Sequence, residues 1–132
     1  MTIGAWTPPS DKKPAKIERE QLQRFIDLLE SNQAPALADL LAQEDQQSDF
    51  LVRLPGKEWL QEADNWSDGE IWHLIQFFAL AEAQLPSWEG GAESAVIPLA
   101  KSLRRRKSPL NKEQLMWLKQ NSENRFLPYG PL

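Results

Sequence analysis

Residues 65–86 read NWSDGEIWHLIQFFALAEAQLP, a helix with both of its ends written into the sequence. Ser67 suits the N-cap, because its hydroxyl can accept from backbone N–H groups that have no intrahelical partner. Glu70, three residues on, can reach back to the Ser67 N–H and complete a capping box. Trp66 and Ile71 then occupy the two positions of a hydrophobic staple. Asp68 places negative charge where the helix dipole is positive. Pro86 ends the run, since it disfavours helical geometry at Leu85 and has no N–H to donate. Ile71, Leu74, Ile75, Phe78, Ala81 and Leu85 share one face, yet the far side still carries Trp72, Phe77 and Leu80. A helix apolar over most of its circumference is buried on several sides. The expected architecture is therefore all-α: five to six helices in one compact domain, arranged around a central buried helix at about Ser67–Leu85.

The rest of the chain divides around that helix. Residues 1–14 hold three prolines and are expected to be an extended N-terminal segment. A helical domain over residues 15–121 follows, and residues 122–132 form an extended C-terminal tail expected to pack on it. A first helix is predicted from about Ala15 to Ser31, with Leu22, Phe25, Ile26 and Leu29 at i, i+3, i+4 and i+7, and Asn32 as its left-handed C-terminal residue. A second, roughly Pro35 to Gln43, presents Leu37, Leu40 and Leu41. EDQQSD (44–49) breaks the pattern, Phe50–Leu54 reads as a helical turn or an irregular packed segment, and Pro55-Gly56 signals a turn. A short helix over Lys57–Ala63 carries Trp59 and Leu60. Beyond the central helix lie a Gly90-Gly91 loop with Trp88 and a helix from about Ser94 to Lys107, with Pro98 in its first turn. The last helix, Lys112 to about Asn121, has Asn111 and Gln114 as a second capping box and Leu110 and Leu115 as its staple. No stretch alternates as a strand does. LQRFIDLLE (22–30) and LIQFFALAE (74–82) agree at Leu, Phe, Leu and Glu, a faint internal echo.

Composition bounds the chemistry. With 132 residues, 41% hydrophobic and 26% charged, the chain has the make-up of a globular domain with a real core. The absence of cysteine removes disulfides, thiolate metal sites and a cysteine nucleophile. No apolar run has the length of a signal peptide core or a membrane span, so a cytoplasmic protein without membrane contact is expected. The net charge of −4 is uneven: KSLRRRK (101–107) carries five of the 15 basic residues and no acid. Ten cations then face 19 acids elsewhere, a net −9.

Few residues carry a chemical signal. Glu70-x-x-His73 has the spacing of one half of a di-iron site. His73 is the sole histidine, however, and Glu70 already serves the cap. Glu82 falls about 20° from Ile71 and about 40° from Phe78 on a helical wheel. That places it near the centre of the apolar stripe. A carboxylate there must pair, cap, bind a ligand or rise in pKa; either the last turn frays and Glu82 reaches solvent, or it meets an arginine such as Arg24 or Arg125. A metal-dependent enzyme using Glu70, His73 and Glu82 is the least favoured reading. No nucleophile elbow, triad or phosphate-binding loop is present, and no catalytic residue, metal or cofactor is expected. The favoured reading is a non-catalytic interaction domain that binds another protein or itself. Its candidate contacts are Trp88, Lys101, Arg104, Arg105, Arg106, Lys107, Phe126 and Tyr129. The alternative is anion or nucleic-acid binding through Lys101–Lys107, with Trp88 or Trp117 stacking on bases.

Overall fold

A helix that is apolar all round needs neighbours on every side, and the chain supplies them. The computed structural model describes residues 16–31, 36–122 and 124, and these are all-helical without strands. Seven α-helices run in order: α1 (Arg19–Ser31), α2 (Leu37–Leu40), α3 (Gln43–Gln46), α4 (Gly56–Ala63), α5 (Asp68–Gln84), α6 (Val96–Arg105) and α7 (Lys112–Asn121). Among the described residues, three short 3-10 helices join them, at Asp49–Arg53, Pro86–Trp88 and Gly91–Glu93. The expected count of five to six helices is thus exceeded by one short α-helix. The expected N-terminal segment, Asn32, Phe126 and Tyr129 lie outside the described residues, and of the expected C-terminal tail only residues 122 and 124 are described.

α5 is the hub. Both halves of its capping box form: Ser67 Oγ accepts from the Glu70 N–H at 3.2 Å, and Glu70 Oε1 accepts from the Ser67 N–H at 2.8 Å. The same pair of bonds forms between Asn111 and Gln114 at the start of α7. From Leu74 to Ala81 every residue of α5 is buried. α1, α6 and α7 all pack against it.

Five fully buried aromatic side chains make the centre: Phe25 of α1, Trp59 of α4, Phe77 and Phe78 of α5, and Trp88. Phe25 and Phe77 stack with centroids 3.8 Å apart and planes 6° from parallel. This is closer to face-to-face than the offset geometry that ring quadrupoles prefer, so burial and dispersion must hold it. Phe78 and Trp88 both set edges against the pair. Phe25 and Phe77 are also the phenylalanines matched in the internal echo. Both central indoles keep a partner in the dry interior: Trp59 Nε1 donates to Leu51 O at 3.1 Å and Trp88 Nε1 to Gln46 O at 2.8 Å. Outside this cluster, Trp72 of α5 and Trp117 of α7 meet edge-on at 5.7 Å.

One expected helix is cut short. Leu41 and Ala42 are extended, so of the predicted Pro35–Gln43 helix α2 remains, and α3 forms in the EDQQSD stretch where a break was expected. Polar demands on the segment explain the difference. Asp45, only 3% exposed, accepts from Gln21 Nε2 at 3.0 Å and from Arg24 Nε and Nη2 at 3.1 and 2.7 Å. Gln46 Nε2 donates to Leu41 O at 2.9 Å, and Gln46 O takes the Trp88 indole. A continuous helix would bring these groups to other faces. Gln84 Oε1, at the end of α5, accepts the otherwise orphaned Leu37 N–H at 2.7 Å, as helix starts require.

Phe77→Ala is expected to cost about 3–5 kcal/mol in urea denaturation, because the surrounding helices cannot all close on the void. A cost below about 1 kcal/mol would mean that the stack is not central.

Candidate functional site

The charged residues singled out by sequence fall into two groups, those tied into the fold and those left on the surface. Arg106 belongs to the first. It donates to Asp68 Oδ1 at 3.0 Å and to Ala63 O, so it fastens the end of α6 to the end of α4 and the start of α5. Hydrogen bonds from the Ser108 hydroxyl and from Arg106 hold the Asp68 carboxyl below its ordinary range. Lys101, Arg104, Arg105 and Lys107 belong to the second group. All four are exposed and make no ion pair among the described residues.

α6 ends in a Schellman motif, in which the Ser108 N–H donates to Leu103 O at 2.8 Å and the Lys107 N–H to Arg104 O at 3.0 Å. That motif needs a left-handed residue, normally glycine. Here Lys107 takes it, with φ of 65°.

α4 and α6 lie side by side and run the same way. Gly56 faces Pro98 at their starts, where a Cβ on Gly56 would lie 3.7 Å from Pro98 Cβ, and Ala63 meets Arg106 at their ends. Between them run two hollows that share Leu60. The upper one, about 450 Å³, is floored by Leu54, Leu60, Ile97 and Pro98 and edged by Arg53, Lys57, Lys101 and Glu93. The lower one, about 270 Å³, is edged by Asp64, Arg105 and Arg106. Five cations and two carboxylates thus line the groove. Lys57, on α4, makes no ion pair among the described residues and faces the same hollow as Lys101. Arg53 is partly committed, donating to Ser87 O at 2.8 Å beside its ion pair with Asp49 at 3.7 Å. Sequence reasoning missed this groove, because its apolar floor comes from residues on different elements with no shared periodicity.

Trp88 requires a correction. The glycine-rich surroundings suggested an indole available to a partner, but Trp88 is 0% exposed. Pro86 starts a 3-10 turn that swings it back under α5 against Phe77 and Phe78. It presents no surface to a protein or to a base, and Trp117 is half-buried against Trp72.

Glu82 acts as a clasp. It accepts hydrogen bonds from Ser94 Oγ, from Asn124 Nδ2 at 3.0 Å and from the Gly90 N–H. Asn124 Nδ2 also donates to Gly91 O at 2.9 Å, and Ser94 Oγ accepts from the Val96 N–H at 3.2 Å. One carboxylate thereby joins the end of α5, the Gly91–Glu93 turn, the start of α6 and the residues after α7. Arg24, one expected partner, is instead paired with Asp45, and Arg125 lies outside the described residues. Burial pushes the Glu82 carboxyl above its ordinary value against these three donors, and the nearby Glu89 adds to the rise. Gly90 is needed at this clasp, since a Cβ there would lie 2.9 Å from Ser94 Cα.

The remaining candidates are also engaged. Glu70 caps α5, and His73 Nδ1 lies 3.1 Å from Gln76 Oε1, a pairing in which the ring nitrogen donates. No group of three or more metal-ligating side chains converges among the described residues. No protein-family model, curated protein or solved structure matches this chain.

Two measurements check these assignments. The rise in the Glu82 pKa means that its protonation contributes stability fully present below its unfolded value, near 4.5. That contribution is lost as pH rises through the higher folded value. Glu82→Gln cannot ionise, so the stability difference between variant and wild type should move in the variant's favour from acid pH to neutrality. A pH-independent difference would contradict the assignment. Lys107→Gly should raise stability by about 0.5–1 kcal/mol in the same denaturation assay, with left-handed strain relieved and unfolded-chain entropy offsetting part of it. A loss would contradict the geometry.

Proposed function

We propose that this chain is a small non-catalytic protein–protein interaction domain of the cytoplasm, and that its partner docks on the face formed by α4 and α6. The observation that supports this reading is the set Lys57, Lys101, Arg104 and Arg105. These are exposed cations without ion-pair partners among the described residues, gathered on one side of a chain with net charge −4. Arg104 and Arg105 also meet the negative end of the α6 dipole, but Lys57 and Lys101 have no such role, and mutual repulsion works against the proximity of the four. Opposite charge on a partner would remove that repulsion and speed encounter. A groove with an apolar floor beside them supplies the desolvated contact that charge alone lacks.

Side chains suited to chemistry are otherwise committed. Ser94 is buried and hydrogen-bonded to Glu82, while Glu70 and His73 hold structural partners. The nucleic-acid alternative loses Trp88 to burial and leaves Trp117 half-buried against Trp72, and the acidic remainder of the chain repels phosphate.

Photo-crosslinking residues placed at Arg104 and at Arg105 in the source cells test the reading, with Asp27 on the exposed side of α1 as control. The expected outcome is a discrete protein adduct from both α6 positions and none from position 27. Lys57→Glu with Lys101→Glu should reduce it about tenfold, the effect of some 1.4 kcal/mol. Equal capture from both faces, nuclease-sensitive adducts, or no adduct would overturn it.

A further inference from the structure

The α4–α6 groove is more selective than a basic patch. We propose that it takes an acidic peptide segment of the partner protein, seating an apolar side chain on Leu60, Ile97 and Pro98 and pairing flanking carboxylates with Lys57, Lys101 and Arg105. This rests on the interaction reading above and deepens it by naming the ligand chemistry.

The walls argue for that occupant. Both hollows are lined by Leu60, and together they lie along the ten residues of α6, about 15 Å. About four to five residues of extended chain cover that length, which suits a short linear segment rather than a folded domain. The floor is apolar where the larger hollow lies, with Leu54 and Ile97 only partly buried against the core. A wholly polar ligand would leave this surface without gain. Cations flank the floor from both helices, Lys57 on α4 and Lys101 and Arg105 on α6. Arg53 and Arg106 stand behind them with their own carboxylates, Asp49 and Asp68. Glu93 and Asp64 are the only acids in the walls among the described lining residues. The field along the floor is therefore positive, and it selects carboxylates rather than lysines from a passing chain. Both Gly56 and Pro98 line the upper hollow, and a Cβ at Gly56 would meet Pro98 at ordinary contact distance.

The test uses the purified full chain and fluorescein-labelled peptides of about ten residues, long enough to span the groove. One peptide carries Asp and Glu around a central Leu-Phe pair, and a second replaces that pair with serines. Single-stranded DNA of equal charge is the third probe. Fluorescence anisotropy gives affinity, and amide shifts in NMR give the place of binding. The expected result is saturable binding of the first peptide, with shifts confined to residues 53–64 and 92–106. Binding should weaken at least about tenfold for the serine peptide and about tenfold in Lys57→Glu/Lys101→Glu. Since both lysines are exposed, that variant should fold, and its amide spectrum reports whether it does. Equal affinity for the serine peptide would overturn the apolar seat, and tighter binding of DNA would overturn the peptide assignment. Shifts outside the groove, no binding, or dimerisation of the chain in place of binding would also overturn it. If protein adducts form at positions 104 and 105 while neither peptide moves the groove amides, the interaction reading stands and this inference fails.

Discussion

The structure depends on burying α5 from every direction. An isolated helix with Phe77, Phe78, Leu74 and Leu80 spread around its circumference cannot stay in water, so each neighbour is recruited to one side of it. α1 brings Phe25 onto Phe77, α4 brings Trp59 onto Phe78, and the 3-10 turn after α5 folds Trp88 back on both. α7 covers another side through Trp117 and Trp72. Large rigid rings bury much area for little lost rotamer freedom. That suits a chain of 132 residues, in which short helices must together enclose a longer one.

Polar side chains close the seams that this packing leaves. Asp45 joins α3 to α1, Arg106 joins α6 to α4 and α5, and Glu82 joins the far end of α5 to the turns before α6 and after α7. Each sits where chain segments converge, and each satisfies backbone or side-chain groups that would otherwise be stranded away from water. Charges used in this way are unavailable for recognition. Among the described residues, five of the cations left over, Lys57, Lys101, Arg104, Arg105 and Lys107, lie on α4 and at α6, while Lys16, Lys112 and Lys119 lie apart from them.

Much of this was legible locally. Capping boxes fixed the starts of α5 and α7, because Ser67 with Glu70 and Asn111 with Gln114 interact within a single turn, and Pro86 marked the end of α5. The position of Glu82 on the apolar face was also readable from helical geometry. Its partners were not, since Ser94 and Asn124 are brought to it by the tertiary fold. The early end of α2 and the presence of α3 escaped for the same reason: Asp45 and Gln46 answer to Arg24 and Trp88, more than twenty and forty residues away. Trp88 misled because glycine-rich sequence suggests exposure, whereas Pro86 directs the turn inward. The α4–α6 groove belongs to no single periodic pattern and became visible only once the two helices lay side by side.

Native-state amide hydrogen exchange tests the central claim most directly. If α5 is the hub, the amides of residues 74–81 should exchange only through global unfolding, with the largest protection in the molecule. α4 and α6 should open at lower free energy along the exposed side of the groove. Exchange of α5 through a smaller local opening, while α4 and α6 remained protected, would contradict the account.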